Sequence, residues 1–303
     1  MLDINDLFGF SVLNQNIELV YIFATVLGLI IGSFLNVVIH RLPKMLMSDW
    51  SLDCVNFLGE QDKTFTYKAA NLAQPYNLAI PASSCPNCNH KITALENIPI
   101  ISYTFLKGKC SECKTKISIR YPFIELLSGI LSLVVVLHFG LTIQSLFALL
   151  LTWNLIALSG IDFDHQYLPD SLTLPFIWLG LFLNTFHLYT DLNSAVIGAI
   201  AGYLSLWFIY HLFKIVTKKE GMGYGDFKLL ALFGAWFGWQ SLAAIIMLSS
   251  IAGAVIGIGL IIFKNQTLSK KIPFGPYLAI AGWIFMLWGE KINSMYLQYV
   301  GLS

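Results

Sequence analysis

Long apolar runs, each close to the length of a bilayer crossing, alternate with polar stretches along most of this chain. A helix crossing the hydrocarbon core needs roughly 20 mostly apolar residues. Eight segments meet or approach that length, near 18–39, 121–139, 143–161, 172–189, 194–213, 226–240, 241–262 and 274–293. The pattern predicts an all-α polytopic membrane protein with about eight transmembrane helices. Only one interruption is long enough to fold outside the bilayer, the polar stretch between the first and second runs. The chain therefore divides into a first transmembrane helix within 1–39, a domain outside the membrane over 40–120, and a membrane-embedded domain over 121–303.

Composition strengthens this reading and removes others. Hydrophobic residues make up 56% of the 303 and charged residues 12%, with a mean hydropathy of +0.70, whereas soluble domains carry about 25% charged residues. A formal net charge of +1 lacks the concentrated basic face of a nucleic-acid binder, so no nucleic-acid partner is expected. The opening "MLDINDLFGF" has neither the basic n-region nor the small-residue cleavage site of a signal peptide. The first run is therefore expected to remain as a true span.

Orientation follows from lysine and arginine, which accumulate on cytoplasmic flanks. The 40–120 stretch holds both arginines, Arg41 and Arg120, and eight lysines including Lys44, Lys107 and Lys116. Alternating from a cytoplasmic 40–120, the loops near 162–171, 214–226 and 264–272 face the same side, and two of them contain Lys214, Lys218 and Lys219, then Lys264, Lys270 and Lys271. Only Lys291 falls at an outward end. The N-terminus is expected outside.

The carboxylates can now be placed. "GIDFDHQYLPD" at 160–170 and "GMGYGDFKLL" at 221–230 meet the same membrane face under that alternation. Ionisable groups at membrane depth are costly and mark functional sites by default. The plainer alternative makes Asp162, Asp164 and Asp170 a solvated loop and Asp226 a helix N-cap. A cap needs one small polar residue, but Gly221, Gly223 and Gly225 precede Asp226, permitting positive φ and close approach of another backbone. A phosphate-cradling reading fails because no Gly-Lys-Ser/Thr follows.

Cysteines supply a second chemistry. "CPNC" at 85–88 and "CSEC" at 110–113 form two Cys-x₂-Cys knuckles separated by 21 residues. Cys85, Cys88, Cys110 and Cys113 offer the four thiolates favoured by structural zinc, and a reducing cytoplasm disfavours the alternative of two disulfides. Zn²⁺ at one structural site is expected, ahead of an iron–sulfur cluster or free thiols. Cys54 lies outside both knuckles and reads as a small hydrophobe.

On these motifs the chain resembles the type IV prepilin peptidases. "GYGD" at 223–226 fits the Gly-x-Gly-Asp pattern of intramembrane aspartyl proteases, and "DFDHQYLPD" is similar to the other aspartate motif of that family. There the first catalytic aspartate precedes a hydrophobic-Pro-Asp/Asn triplet by six residues, which selects Asp162, because Leu168, Pro169 and Asp170 follow in step. Asp164 is out of register. The resemblance thus implies Asp162 and Asp226 as the catalytic pair. Carboxylate proteolysis uses two groups held too close to ionise together, one protonated to polarise the scissile carbonyl and its partner activating water. Such a pair titrates as a unit, so acid and base are not assigned separately.

The cysteine array, "GSFLNVVIHRLP" at 32–43 and "SIRYPFIELLSG" at 118–129 extend the resemblance to the bifunctional members, which cleave the leader and then methylate the new N-terminus. It implies a cysteine domain linked to methylation, S-adenosylmethionine as methyl donor, and residence in the bacterial inner membrane. Type IV prepilins and related pseudopilins are the implied substrates, with the lipid bilayer as surroundings. Asn36, Arg41, Arg120 and Glu125 flank the cysteine domain and are candidates for the methylation site, with boundary anchoring as the alternative. Gly28 and Gly32 read as a helix-packing pair, and His40 as an interfacial residue. The segment 46–72 has no evident function. A competing class, an ion-coupled membrane transporter with a zinc-binding accessory loop, would also use carboxylates at glycine-broken helix ends. It predicts midplane placement and an inverted repeat, and neither is evident in the sequence.

Overall fold

The computed structural model describes residues 16–61, 76–219, 221–264 and 273–300. Nine α-helices occur among them: α1 Ile17–Gln61, α2 Ile101–Phe105, α3 Arg120–Phe139, α4 Ile143–His165, α5 Asp170–Asn184, α6 Leu192–Thr217, α7 Tyr224–Phe237, α8 Gln240–Lys264 and α9 Gly275–Val300. No β-strand is present among the described residues, and only two isolated bridges occur, Ser84 with Lys91 and Lys109 with Lys116. The opening "MLDINDLFGF", Lys63, Lys68, Lys270, Lys271 and the part of 46–72 beyond Gln61 lie outside the described residues.

A helix stands at each of the eight predicted runs, but five are long and apolar enough to cross a membrane: Ile17–Leu58, Arg120–Phe139, Ile143–His165, Leu192–Thr217 and Gln240–Gly259. The protein is a multi-pass membrane protein. Helices α5 and α7 have 15 and 14 residues, so each rises only about 21–23 Å against a hydrocarbon core of about 30 Å. The apolar side chains of α7 are buried against neighbouring helices, whereas α5 leaves Leu174, Trp178 and Phe182 exposed. Helix α1 does not stop at 39: it runs for 45 residues through Pro43, about 68 Å at 1.5 Å per residue, so its second half extends beyond the apolar stretch.

The chain forms two compact units, Glu18–Val134 and Val135 onward. In the first, α1 and α3 pack through small residues. A Cβ on Gly28 would come within 2.5 Å of Ser132 Oγ, one on Gly32 within 2.7 Å of Glu125 Cα, and one on Gly129 within 2.7 Å of Leu29 Cδ2, as the packing-pair reading requires.

In the second unit α7 is the hub. Phe227, Leu229, Leu230, Leu232, Phe233, Ala235 and Trp236 are fully buried, and a helix apolar on every side belongs inside a bundle. Small residues on its neighbours admit it: a Cβ on Gly198 of α6 would lie 2.4 Å from Gly234 O, and one on Gly282 of α9 2.1 Å from Phe233. Its C-terminal carbonyls would be orphaned in an apolar setting. Asn184 answers this by donating to Ala235 O and Trp236 O at 2.8 and 3.0 Å.

Candidate active site

Three helix ends build the site: the C-terminal turn of α4 and the N-terminal turns of α7 and α9. Asp162 sits one turn before the end of α4, where Gln166 closes the helix in the left-handed conformation and donates its N–H to Asp162 O at 2.9 Å. The chain then turns through Tyr167, Leu168 and Pro169 into α5. Leu168 and Pro169 are buried. Asp226 lies in the first turn of α7 and accepts the Gly223 N–H at 3.3 Å. Gly223 is the N-cap, so Asp226 is its capping-box partner one turn in rather than the cap itself, and the carboxylate also lines a cavity.

That cavity, about 430 Å³, is lined by Asp162 and Asp226 together with Tyr167, Met222, Tyr224 and Phe274. Asp162 is 5% exposed and Asp226 7%. The structure thus brings the two expected aspartates to one hollow and separates the others from it. Asp164, two residues on, is exposed. Asp170 pairs with Lys228, tying the start of α5 to α7.

The glycines of the 221–225 loop act differently from expectation. None adopts positive φ. Close approach is what counts: a Cβ on Gly225 would lie 2.8 Å from Leu168 Cβ, so its absence lets the Gly-x-Gly-Asp turn press against the Leu-Pro-Asp turn. Gly223 has only its own loop nearby and leaves open space on the cavity side.

One element of the site was missed from sequence. Gly275, first residue of α9, donates its backbone N–H to Asp162 Oδ2 at 3.0 Å, and a Cβ there would fall 2.6 Å from the same oxygen. The first N–H groups of a helix are unpaired within it and carry partial positive charge, so α9 offers Asp162 a directed donor. The signal was "PFGP" at 273–276, a glycine between prolines at the head of an apolar run.

The four knuckle cysteines converge in the first unit. Their Sγ atoms all lie within 4.8 Å of one another, with Cys85–Cys113 at 3.7 Å and Cys88–Cys110 at 3.9 Å. Four thiolates at a Zn–S length of about 2.3 Å stand about 3.8 Å apart on a tetrahedron, while a disulfide needs about 2.05 Å. The donor set fits a tetrahedral metal. The knuckles repeat one design: Asn89 and Lys114, each following the second cysteine, share φ of 59° and 58°, and their N–H groups reach back to Cys85 O and Cys110 O. The Thr115 hydroxyl, 3.3 Å from Cys113 Sγ, is the first cause holding that thiol down at about 5, followed by Asn87. Cys54 lies exposed on α1 and outside the four-cysteine cluster, as a non-ligand should.

The residues suggested for methylation are engaged with backbone. Asn36 donates to Gly32 O and Tyr121 O, each at 3.2 Å. Arg41 donates to Asn77 O at 3.0 Å and lies over the Tyr76 ring. Glu125 accepts the Ile100 N–H at 2.8 Å. Arg120 is half-buried at the start of α3. Asn36 joins α1 to α3, while Arg41 and Glu125 clamp the cysteine domain onto those helices.

Paired buried carboxylates from separate helices, with a four-thiolate cluster elsewhere in the chain, form the arrangement of a membrane aspartic peptidase carrying a cysteine-rich domain. Comparison with known proteins agrees: residues 26–139 match the bacterial peptidase A24 N-terminal domain, and residues 149–258 match the type IV leader peptidase family. The prepilin leader peptidase/N-methyltransferase of Stutzerimonas stutzeri is 54% identical over 92% of this chain and 94% of its own length. Those of Pseudomonas aeruginosa and Aeromonas salmonicida are each 53% identical, over 94% and 93% of this chain and 96% and 94% of their own lengths. No solved structure matches. The chain belongs to the type IV leader peptidase family.

Proposed function

We propose that this protein cleaves the leader peptide of type IV prepilins and related pseudopilins and then methylates the exposed N-terminus, with Asp162 and Asp226 as the proteolytic pair. The observation that carries the peptidase reading is the single cavity into which both buried carboxylates open, in a chain about half identical to prepilin leader peptidase/N-methyltransferases along nearly all its length.

The scissile peptide lies along the open side of the Gly221–Gly225 loop, where Gly223 leaves room for an extended backbone. The two aspartates share one proton. One carboxyl donates a hydrogen bond to the scissile carbonyl, and the other carboxylate takes a proton from water as it attacks. Collapse of the tetrahedral intermediate passes a proton to the leaving amine and restores the shared state. The Gly275 N–H holds Asp162 in register for this exchange, because positioning is worth orders of magnitude in rate.

Methyl transfer belongs to the unit Glu18–Val134, with S-adenosylmethionine supplying the methyl group. Cys85, Cys88, Cys110 and Cys113 would hold Zn²⁺ there as a structural ion, since four thiolates leave no open position for chemistry. Asn36, Arg41 and Glu125 serve this unit by holding its shape. The lysine-rich loops support a cytoplasmic position for the cysteine domain and both aspartates, in what the resemblance implies is a bacterial inner membrane. The transporter alternative lacks support, since the carboxylates occupy helix ends and the family is one of peptidases.

The test is direct. Purified protein in lipid vesicles is incubated with a prepilin and labelled S-adenosylmethionine, and the product N-terminus is read by mass spectrometry. A leaderless, methylated pilin is expected. An intact leader would refute the reading.

A further inference from the structure

Within the cysteine domain the run Asn97–Leu106, "NIPIISYTFL", carries no charged residue, although Lys107 and Lys109 follow at once. An apolar run of about ten residues is too short to cross a bilayer and suits an interfacial or re-entrant segment. Its side chains are not gathered into a core. Phe105 is 84% exposed, Ile101 54% and Leu95, separated from the run by Glu96, 77%.

Contacts to the two long helices of the same unit set the depth of this run. Arg41 of α1 meets the domain at Asn77, and Asn36 meets α3 at Tyr121. The 97–105 stretch attaches further down. Ile100 N–H bonds Glu125, and Ser33 bonds Asn97 at 3.4 Å. Ser33 lies eight residues before Arg41 on α1 and six before the end of the uncharged stretch Leu19–Ile39, about 12 Å and 9 Å along the axis at 1.5 Å per residue. On α3, Glu125 is four residues past Tyr121, about 6 Å further in. The two helices agree, since a Cβ on Gly32 would touch Glu125 Cα.

Irregular backbone survives at such depth only when its polar groups are satisfied within the protein. Here they are. Ile101 N–H bonds Pro99 O, Ser102 N–H bonds Ile98 O, Thr104 N–H bonds Ile100 O and Leu106 N–H bonds Ser102 O. The Thr104 hydroxyl also bonds Ile100 O at 2.9 Å. Ile100 itself takes φ of 61° and ψ of −46°, a costly conformation for a β-branched residue, and the Glu125 carboxylate secures its N–H.

From depth, exposure and backbone satisfaction together, we infer that Asn97–Phe105 is immersed in the lipid leaflet on the cysteine-domain side, with Leu95, Ile101 and Phe105 contacting acyl chains. Exposed Lys107 and Lys109 at its edge meet anionic headgroups. The inference rests on α1 and α3 spanning the membrane and not on the proteolytic reading. It makes the cysteine domain a surface-embedded element held at the level where a membrane-anchored pilin presents its new N-terminus.

The test uses the full chain in vesicles of phosphatidylethanolamine and phosphatidylglycerol, with p-benzoyl-phenylalanine placed singly at Leu95, Ile101, Phe105 or, as a water-facing control, the exposed Glu112. After irradiation, mass spectrometry should find phospholipid adducts at Ile101 and Phe105 several-fold above Glu112. Zinc content of each labelled protein, read by elemental analysis, reports folding of the cysteine domain separately. Adducts at Phe105 no more frequent than at Glu112, or photoproducts joining these positions to the chain itself, would overturn the inference.

Discussion

The helix α7 and the cysteine domain hold their shapes by opposite means. Of the 14 residues of α7, ten are buried, from Asp226 to Trp236, and glycines on α6 and α9 let it sit at contact distance. Over 76–119 only Cys85, Gly108 and Cys110 are buried, so that segment has almost no apolar core. One region is held by packing, the other by its four sulfurs and by clamps to α1 and α3. Metal loss should therefore strike the second and spare the first, because in small metal domains binding free energy is folding free energy.

The largest effect expected falls on cleavage. Asp162→Asn and Asp226→Asn each keep the shape of the site but cannot share a proton, and each should lower the cleavage rate by more than about a thousandfold, read from leader release at constant protein level. Next, Cys85→Ser and Cys113→Ser should abolish zinc binding, which elemental analysis should find at about one ion per chain in the unaltered protein. Both variants should lose methylation first while leader cleavage persists. Cleavage and methylation failing in parallel on metal removal would break the contrast between the regions.

Gly275→Ala sharpens it from the other side. The added Cβ must displace Asp162 Oδ2, 2.6 Å away, and misplacement of a reacting group by an ångström can cost about a hundredfold. The fall should appear in kcat more than KM, with methylation of cleaved pilin unchanged. Gly234→Ala, facing Gly198 O at 2.1 Å, should destabilise the helical bundle by about 1–3 kcal/mol, seen as a lower thermal midpoint in detergent. The smallest effect belongs to Asp164→Asn. An exposed carboxylate outside the cavity should change stability by no more than about 0.5 kcal/mol and leave cleavage nearly intact.

What was legible in the sequence was local. The knuckle spacing announced a four-thiolate cluster because each Cys-x₂-Cys is one turn of chain, and long apolar runs announced helices because hydrocarbon imposes a length. Choosing Asp162 over Asp164 required the family register, since both occupy the end of one helix and only packing shows which points inward. Gly275 escaped notice because its partner lies 113 residues away, and the Asp170–Lys228 pair, 58 residues apart, is hidden for the same reason. Span count was blurred at α5 and α7, which are only 15 and 14 residues long, and α7 owes its apolarity to burial among its neighbours. The boundary position of Asn36, Arg41 and Glu125 was readable, but their attachment to backbone carbonyls and the Ile100 N–H was not.

The most direct test of two separate activities in two units uses one variant and two substrates. Asp226→Asn protein is given intact prepilin or already cleaved pilin, each with labelled S-adenosylmethionine, and methyl incorporation at the pilin N-terminus is measured by mass spectrometry. Intact prepilin should remain uncut and unmethylated, while cleaved pilin should be methylated at close to the unaltered rate. Failure to methylate cleaved pilin, in protein with full zinc content, would contradict the assignment of cleavage and methylation to different parts of the chain.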